Sequence, residues 1–240
     1  MNINSILNHK LITHSKDIVN LLDDSILGRV ARQKTNNASY THVLYLIKNI
    51  MGNNCTTVLE TGTLWGGGLL TMMQDKHKST FVSVDMFTGF YPDLLGEGNT
   101  DSEDGINTVE KVTNNINNNN PHNHIYELVK GSSHDDLVVK YIHTKYPVID
   151  LFFIDGDHTK KGVLQDWDDY SPLISSGGIV IFDDYWSGDL STRNWRKEFD
   201  DGTPWMDVVG AVDEITNSVD FINNWKVIGL YGDKKIVQKL

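Results

Sequence analysis

The amino-acid sequence predicts an α/β fold, a doubly wound and mostly parallel seven-stranded sheet with a C-terminal antiparallel hairpin and an N-terminal helical cover. Three observations predict it. From residue 56 short apolar runs alternate with helical stretches, a glycine-rich segment follows the first run, and the chain ends in two β-rich pieces around a turn. Strands that alternate with helices imply parallel pairing through crossover connections.

The N-terminal part predicts helices. Ile18, Leu21 and Leu22 recur at helical spacing, and residues 40–51 repeat the pattern. We therefore divide the chain into a helical cover, residues 1–55, and a single compact α/β domain, residues 56–240.

The strands of that domain are predicted from five apolar runs and a terminal pair. The runs are TVLE, TFVSVD, IYELV, VIDLFFID and GIVIFDD, and WKVIGLYGDKKIVQKL turns at Tyr231-Gly232-Asp233. Parallel strands followed by a hairpin fit the methyltransferase variant of the doubly wound sheet better than a nicotinamide-binding sheet, which normally ends in a parallel strand.

The composition of the chain limits the kinds of partner and the cellular compartment that we expect. The formal net charge of the 240 residues is -11, so a nucleic-acid phosphate backbone would be repelled. No apolar run reaches membrane-span length, and the N-terminus lacks a signal-peptide pattern. Cys55 is the one cysteine and is expected to be a buried bystander. We expect a cytoplasmic protein; its Asn-rich composition hints at an AT-rich viral or protozoan source, which for a virus means the host cytoplasm.

A glycine loop follows the first predicted strand in LETGTLWGGG. Glycine lets the backbone approach a ligand, and the following helix presents unsatisfied N–H groups. Glu60, just before Gly62, would repel phosphates but suits the ammonium and sulfonium of S-adenosylmethionine. We therefore expect this donor to lie over Gly62, Thr63 and Gly66, with Glu60 near its amino end. Asp155 is a further predicted cofactor contact.

Two further positions are predicted to hold the nucleoside. Asp85 ends the second strand, where a carboxylate can accept hydrogen bonds from both ribose hydroxyls, although it could instead cap a helix near Thr88. Ser132 and Ser133 follow the third strand and are candidate adenine contacts, with simple loop chemistry as the alternative.

Acidic residues end the fourth and fifth strands. Asp155, Asp183 and Asp184 reach the sheet edge where ligands bind in open α/β sheets, and converging carboxylates repel unless protonated or bridged by a cation. Their hard oxygens suit Mg²⁺ or Mn²⁺. His158, three residues after Asp155, is a candidate general base. Asp157 is a less certain ligand, since it could cap the next helix.

These blocks together resemble the macrocin O-methyltransferase group and its cephalosporin-hydroxylase-like relatives. The resemblance rests on ETGTLWGGG, VSVD, IDGDHTKKGVLQDWDDY, GGIVIFDDY and VVGAVDEI and covers roughly residues 55 to 238. It implies a class I S-adenosylmethionine-dependent methyltransferase that uses Mg²⁺ and methylates sugar hydroxyls. It also implies that Asp155, Asp183 and Asp184 are the ligands and that His158 or Asp155 is the base.

The predicted acceptor is a small molecule or carbohydrate, and oligomeric assembly stays open. Trp186, Trp195 and Trp205 could stack on a sugar, and Arg193 and Arg196 could pair with an anionic acceptor. Alternatives are a nicotinamide-dependent oxidoreductase, a metal-dependent hydrolase and a non-catalytic nucleoside-binding partner protein.

Overall fold

A computed structural model describes residues 42–88, 107–185 and 206–240. The strands within these ranges are β1 Thr57–Thr61, β2 Thr80–Asp85, β3 Ile125–Lys130, β4 Ile149–Ile154, β5 Ile174–Phe182, β6 Trp225–Tyr231 and β7 Lys234–Lys239. The α-helices are α1 His42–Met51, α2 Gly67–Met73, α3 Val109–Asn119, α4 Asp136–Lys145, α5 Lys160–Tyr170, α6 Val208–Asn217 and α7 Val219–Asn224.

The strands form one sheet in the order β3-β2-β1-β4-β5-β7-β6. Neighbours from β3 to β5 pair in parallel, whereas β7 runs antiparallel to both β5 and β6. The strand order reverses between β1 and β4, which is the switch point where open α/β sheets bind ligands. The predicted fold class and terminal hairpin are confirmed.

Two apolar layers cover the sheet. On one face, α1, α2 and α3 pack with Phe81 and Phe153. On the other, α4, α5 and α6 pack with Phe152 and Trp225. Phe152 and Phe153 are consecutive on β4 and point to opposite faces because side chains alternate along a strand.

The described part of the predicted cover, α1, lies in the first layer. Cys55 is buried there, and burial raises the pKa of its thiol to about 12, as expected of an unreactive bystander. Residues 1–41, with Ile18, Leu21 and Leu22, lie outside the described residues, so the boundary between residues 55 and 56 stays a prediction.

The strand pairing continues past the carboxyl ends of four adjacent strands. The Gly62 amide donates to the Val84 carbonyl (2.9 Å), and the Asp155 amide donates to the Thr61 carbonyl (3.0 Å). The Asp183 amide donates in turn to the Ile154 carbonyl (3.0 Å). These bonds hold Gly62, Asp155 and Asp183, which follow β1, β4 and β5, against the neighbouring strand at one edge of the sheet. Helices long and apolar enough to cross a membrane are absent from the described ranges.

Candidate active site

The glycine loop runs over the switch point in a conformation that requires glycine. Gly62 has a φ of +83°, and a Cβ there would lie 2.0 Å from the Asp155 carbonyl oxygen. Gly66, with a φ of +88°, is the N-cap of α2, and its amide donates to the Thr63 carbonyl at 2.7 Å. The loop therefore packs directly on the residues that follow β4.

Glu60 lies beneath this loop. It is 1% exposed, its Oε2 accepts from the Ser83 hydroxyl at 2.6 Å, and it also accepts from the Leu69 backbone. Burial, with the charges of Asp155 and Asp85, raises the pKa of Glu60 well above its usual range despite these hydrogen bonds. Its observed partners lie inside the protein, so a contact with the ammonium of a donor stays a prediction.

Asp85 joins the loop to the segment after β2. One carboxylate oxygen accepts from the Leu64 amide at 2.9 Å. The other accepts from the Phe87 amide at 2.5 Å and from the Asn107 side chain at 3.3 Å. Asp85 thus lies beside the loop as predicted, and its contact with ribose hydroxyls stays a prediction.

The predicted adenine contacts lie next to this residue. The Gly131 amide donates to the Asp85 carbonyl at 3.0 Å, which places Ser132 and Ser133 after the neighbouring strand end. The Ser132 hydroxyl accepts from the His134 amide at 3.2 Å, and the Ser133 carbonyl accepts from the Tyr170 hydroxyl at 2.6 Å. Both serines therefore have internal partners, and adenine contact stays a prediction.

The acidic residues that end β5 meet a third carboxylate from the hairpin. Asp183, Asp184 and Asp233 each offer a ligand atom within 4.8 Å of the other two. We call these three residues the acidic cluster. Asp184 has a φ of +50°, an uncommon conformation for a residue other than glycine, and its amide donates to Asp183 Oδ1 at 2.8 Å. The cluster differs in one member from the predicted set, which had Asp155 in place of Asp233.

Asp155 adjoins the cluster through His158. His158 Nε2 lies 3.2 Å from Asp155 Oδ1 and 3.8 Å from Asp184 Oδ2. Burial raises the pKa of Asp155, and the charge of Asp183 raises it further, to about 8. The structure therefore places the predicted base, His158, beside two of the three predicted acids, Asp155 and Asp184.

The turn before α5 determines the orientation of the Asp157 side chain. Its Oδ1 accepts from the Thr159 amide at 2.8 Å, and a Cβ on Gly162 would lie 2.3 Å from its carboxyl carbon. Asp157 thus turns toward the start of α5, as the alternative expected, but the N-cap of that helix is Thr159, whose hydroxyl accepts from the Gly162 amide at 2.9 Å.

Sequence reasoning missed Lys234. Its ammonium pairs with Asp183 and lies 3.2 Å from Asp233 Oδ1, although the side chain is 2% exposed. Burial alone would lower the pKa of Lys234, but the charges of Asp183 and Asp233 outweigh burial and raise it. The same ammonium holds the pKa of Asp183 below its usual range although burial opposes this. The sequence signal was a charged pair, Asp-Lys, in the hairpin turn.

The candidate acceptor residues lie outside the described ranges. These are Trp186, Arg193, Trp195, Arg196 and Trp205. Their contacts with an acceptor stay predictions.

Three features define the class of protein: the glycine loop, the acid that ends β2, and the sheet that ends in an antiparallel hairpin. Together they are the features of a class I methyltransferase, an α/β protein that binds a nucleoside. A family model described as a methyltransferase domain matches residues 59–185, just over half of the chain. The chain belongs to this methyltransferase family. The prediction from the motifs is confirmed, and the nicotinamide-dependent and hydrolase alternatives lose support.

Comparison with known proteins also gives a viral relative. The uncharacterized protein R132 of Acanthamoeba polyphaga mimivirus is 30% identical over 146 residues, which are 60% of this chain and 58% of R132. This chain therefore spans little more than half of that relative.

Two solved structures share the fold. The O-methyltransferase NovP superposes with a TM-score of 0.62 at 20% identity, over 94% of this chain and 99% of NovP. The MycE methyltransferase of the mycinamycin biosynthetic pathway, solved with Mg, S-adenosylhomocysteine (SAH) and mycinamycin VI, superposes with a TM-score of 0.52 at 16% identity. That match covers 81% of this chain and 48% of MycE.

Proposed function

We propose that the protein transfers a methyl group from S-adenosylmethionine to a hydroxyl oxygen of a small-molecule or carbohydrate acceptor, with a divalent cation at the acidic cluster. One observation carries the proposal. The glycine loop and Asp85 lie at one end of a row of strand ends, and His158 with the acidic cluster lies at the other. The proposed donor site and the proposed proton-accepting site would meet between these ends, where Gly62 packs against Asp155.

The donor half of the proposal rests on the loop. A donor lying over Gly62, Thr63 and Gly66, with its ribose toward Asp85, would direct its methyl group toward the residues that follow β4. Methyl transfer is an in-line displacement, and much of its acceleration comes from holding the two reactants in line. The rigid packing of the loop on Asp155 supports that positioning.

The acceptor half rests on His158 and Asp155. The acceptor hydroxyl loses its proton as the new O–C bond forms, and the pair at 3.2 Å offers an imidazole nitrogen and a carboxylate oxygen to receive it. The methyl group leaves sulfur, so SAH is the second product. Which of the two groups takes the proton first stays open.

The acidic cluster suits a divalent cation. Asp183, Asp184 and Asp233 supply hard oxygen ligands. The pKa of the adjoining Asp155 is raised first by burial and then by the charge of Asp183, and a cation would relieve that repulsion. Mg²⁺ is the first choice and Mn²⁺ the second. When bound, such an ion supplies positive charge that makes a nearby hydroxyl more acidic. The Mg in the MycE structure supports this choice.

The acceptor class rests on the family resemblance and on one structural neighbour. The resemblance to sugar O-methyltransferases favours a sugar hydroxyl on a glycan, nucleotide sugar or glycosylated small molecule. MycE, whose structure contains mycinamycin VI, supports a small-molecule acceptor. The negative net charge of the chain argues against nucleic acid.

The first test is thermal unfolding with SAH, with NAD and with neither. A ligand at one hundred times its dissociation constant adds about 2.7 kcal/mol of stability, so SAH alone should raise the unfolding temperature. Asp85→Asn should weaken the SAH effect, whereas Asp135→Asn, which alters the exposed cap of α4, should not. Stabilisation by NAD alone would reject the methyltransferase proposal.

The second test measures SAH release with a panel of glycosides and nucleotide sugars, with Mg²⁺ and with EDTA. Asp183→Ala should abolish the metal-dependent turnover and leave SAH binding largely intact. Full turnover by this variant would remove the cation from the proposal.

A further inference from the structure

Lys234 is a buried cation inside the acidic cluster. It begins β7, and its side chain is 2% exposed. Its ammonium pairs with Asp183, lies 3.2 Å from Asp233 Oδ1 and lies 5.8 Å from the centre of the Phe153 ring. Lysine is almost never buried this deeply unless it is paired, so these contacts account for its position.

The strand order forces this placement. β7 runs antiparallel to β5, with Phe182 opposite Lys235 and Ile181 opposite Ile236. The start of β7 therefore lies at the carboxyl end of β5, where Asp183 and Asp184 follow. The Tyr185 amide donates to the Asp233 carbonyl at 2.8 Å, which fixes the hairpin turn against that strand end.

The ammonium uses the same carboxylates that a divalent cation would use. Two of the three members of the acidic cluster, Asp183 and Asp233, are already paired with Lys234. A cation entering the cluster would meet a like charge held at close range, and in a poorly solvated site that repulsion is strong. Either the Lys234 ammonium or the entering cation must then give up its contact with Asp183.

We propose that Lys234 is a tethered competitor of the divalent cation. Its ammonium holds Asp183 and Asp233 in place when no ion is bound, and it lowers the affinity of the acidic cluster for the ion. Lys234 is thus a positioning residue that sets the concentration at which the metal enters. This inference rests on the proposed metal-assisted function.

The test compares Mn²⁺ binding by the full-length wild-type protein and by Lys234→Gln. Binding is followed by the electron paramagnetic resonance signal of free Mn²⁺. Removing the ammonium leaves buried carboxylates without their counter-charge, so at a pH where they stay ionised Lys234→Gln should bind Mn²⁺ about tenfold more tightly or better. Its unfolding temperature should fall in EDTA and recover with Mn²⁺, whereas that of the wild type should change less.

Two variants act as controls. Lys235→Gln removes the same charge one residue along β7, where the ammonium lies 4.5 Å from the centre of the Tyr185 ring, and should leave Mn²⁺ affinity near the wild-type value. Lys234→Arg keeps the charge and should keep the affinity weak. Equal affinity in Lys234→Gln and the wild type, or weaker affinity in the variant, would overturn the proposal.

A variant that does not fold in EDTA still gives an answer. Lys234→Met is a second variant, chosen because it keeps the aliphatic stem against Phe153. Lys234→Gln and Lys234→Met can both be refolded with saturating Mn²⁺. Failure of both to fold with the ion would overturn the proposal, because the ion would then be unable to replace the ammonium.

SAH binding, measured in the same samples, separates this inference from the proposed function. No Mn²⁺ binding by any form would reject metal assistance together with the competition, while SAH stabilisation would still support the donor site. Equal Mn²⁺ binding by all forms would reject the competition alone.

Discussion

At the residue scale, Asp166 is a carboxyl group removed from water next to Thr61, at the end of β1. Its side chain is fully buried, Oδ2 accepts from the Thr61 hydroxyl at 2.8 Å, and Oδ1 lies 3.5 Å from His134 Nδ1. Burial raises the pKa of Asp166 to about 6, although His134, Ser133 and Thr61 oppose the change. The carboxylate therefore lowers the stability of the fold when it ionises.

The ionisation of Asp166 should be visible in the pH dependence of the free energy of unfolding. The folded-state pKa lies above the unfolded value, so the folded state binds more protons and wild-type stability falls as pH rises through that window. From pH 4.5 to 7 the stability of the wild type relative to Asp166→Asn should fall by about 2 kcal/mol. Urea denaturation at both pH values measures it. Asp168 is exposed on the same helix, so the difference in stability between the wild type and Asp168→Asn should stay nearly constant between the two pH values. Parallel pH profiles for Asp166→Asn and the wild type would contradict the prediction.

His158 and Asp155 should behave as one proton-accepting unit. Their atoms are 3.2 Å apart, and groups that act together lose activity non-additively. His158→Gln and Asp155→Asn should each lower kcat by about 10²- to 10⁴-fold with SAH binding retained. The double variant should be no slower than the slower single variant. Single-turnover methyl transfer measures all three, and additive losses would show two independent roles.

At the element scale, the glycine loop depends on contact with the turn after β4. Gly62 and Gly177 have nearly the same φ, +83° and +81°, but only Gly62 has backbone atoms in the path of a Cβ. Gly177 has nothing within 4 Å. Substitutions at the two positions therefore separate the free-energy cost of the left-handed backbone from the cost of the clash between a Cβ and neighbouring backbone atoms.

Substitution of these two glycines by alanine should give different losses. Gly177→Ala should cost about 1–2 kcal/mol for the left-handed conformation alone. Gly62→Ala should cost more than about 4 kcal/mol, because the hydrogen bond from the Asp155 amide to the Thr61 carbonyl holds the Asp155 backbone in place, and should abolish SAH binding. Urea denaturation and calorimetry check both variants. Similar losses would mean that the loop is not packed as described.

At the scale of the whole molecule, we expect the sheet to join the two apolar layers into one cooperative unit. Phe153 is buried in the first layer and Phe152 in the second, although they are neighbours in the chain. Trp167 and Trp225 lie in the second layer with their ring centres 4.7 Å apart. Damage in the first layer should therefore also reach these tryptophans through β4.

Phe153→Ala tests this coupling. The cavity should lower the free energy of unfolding by about 3–5 kcal/mol, a large share of a typical total of about 5–15 kcal/mol. Tryptophan fluorescence and far-ultraviolet circular dichroism should show the same shifted midpoint. Phe152→Ala is the matched change in the other layer. An unshifted fluorescence midpoint in Phe153→Ala would show that the layers unfold separately.

The sequence by itself determined the strands, their parallel pairing and the acids that follow them. Apolar periodicity and glycine placement are local properties, so TFVSVD and GIVIFDD specify both a strand and the acid at its end. Asp85, Asp155 and Asp183 consequently lie at the predicted sheet edge. The family resemblance was also carried by contiguous motifs.

Only the tertiary structure decided which of these groups meet. Asp183 and Lys234 are 51 residues apart, and they pair because β7 inserts beside β5 in the antiparallel sense. Glu60 is held beneath the loop by Ser83, which lies on the neighbouring strand. Pairing across strands depends on sheet order, and burial depends on packing from both layers; neither is a property of any local segment. The charge balance at the acidic cluster is therefore a product of the fold.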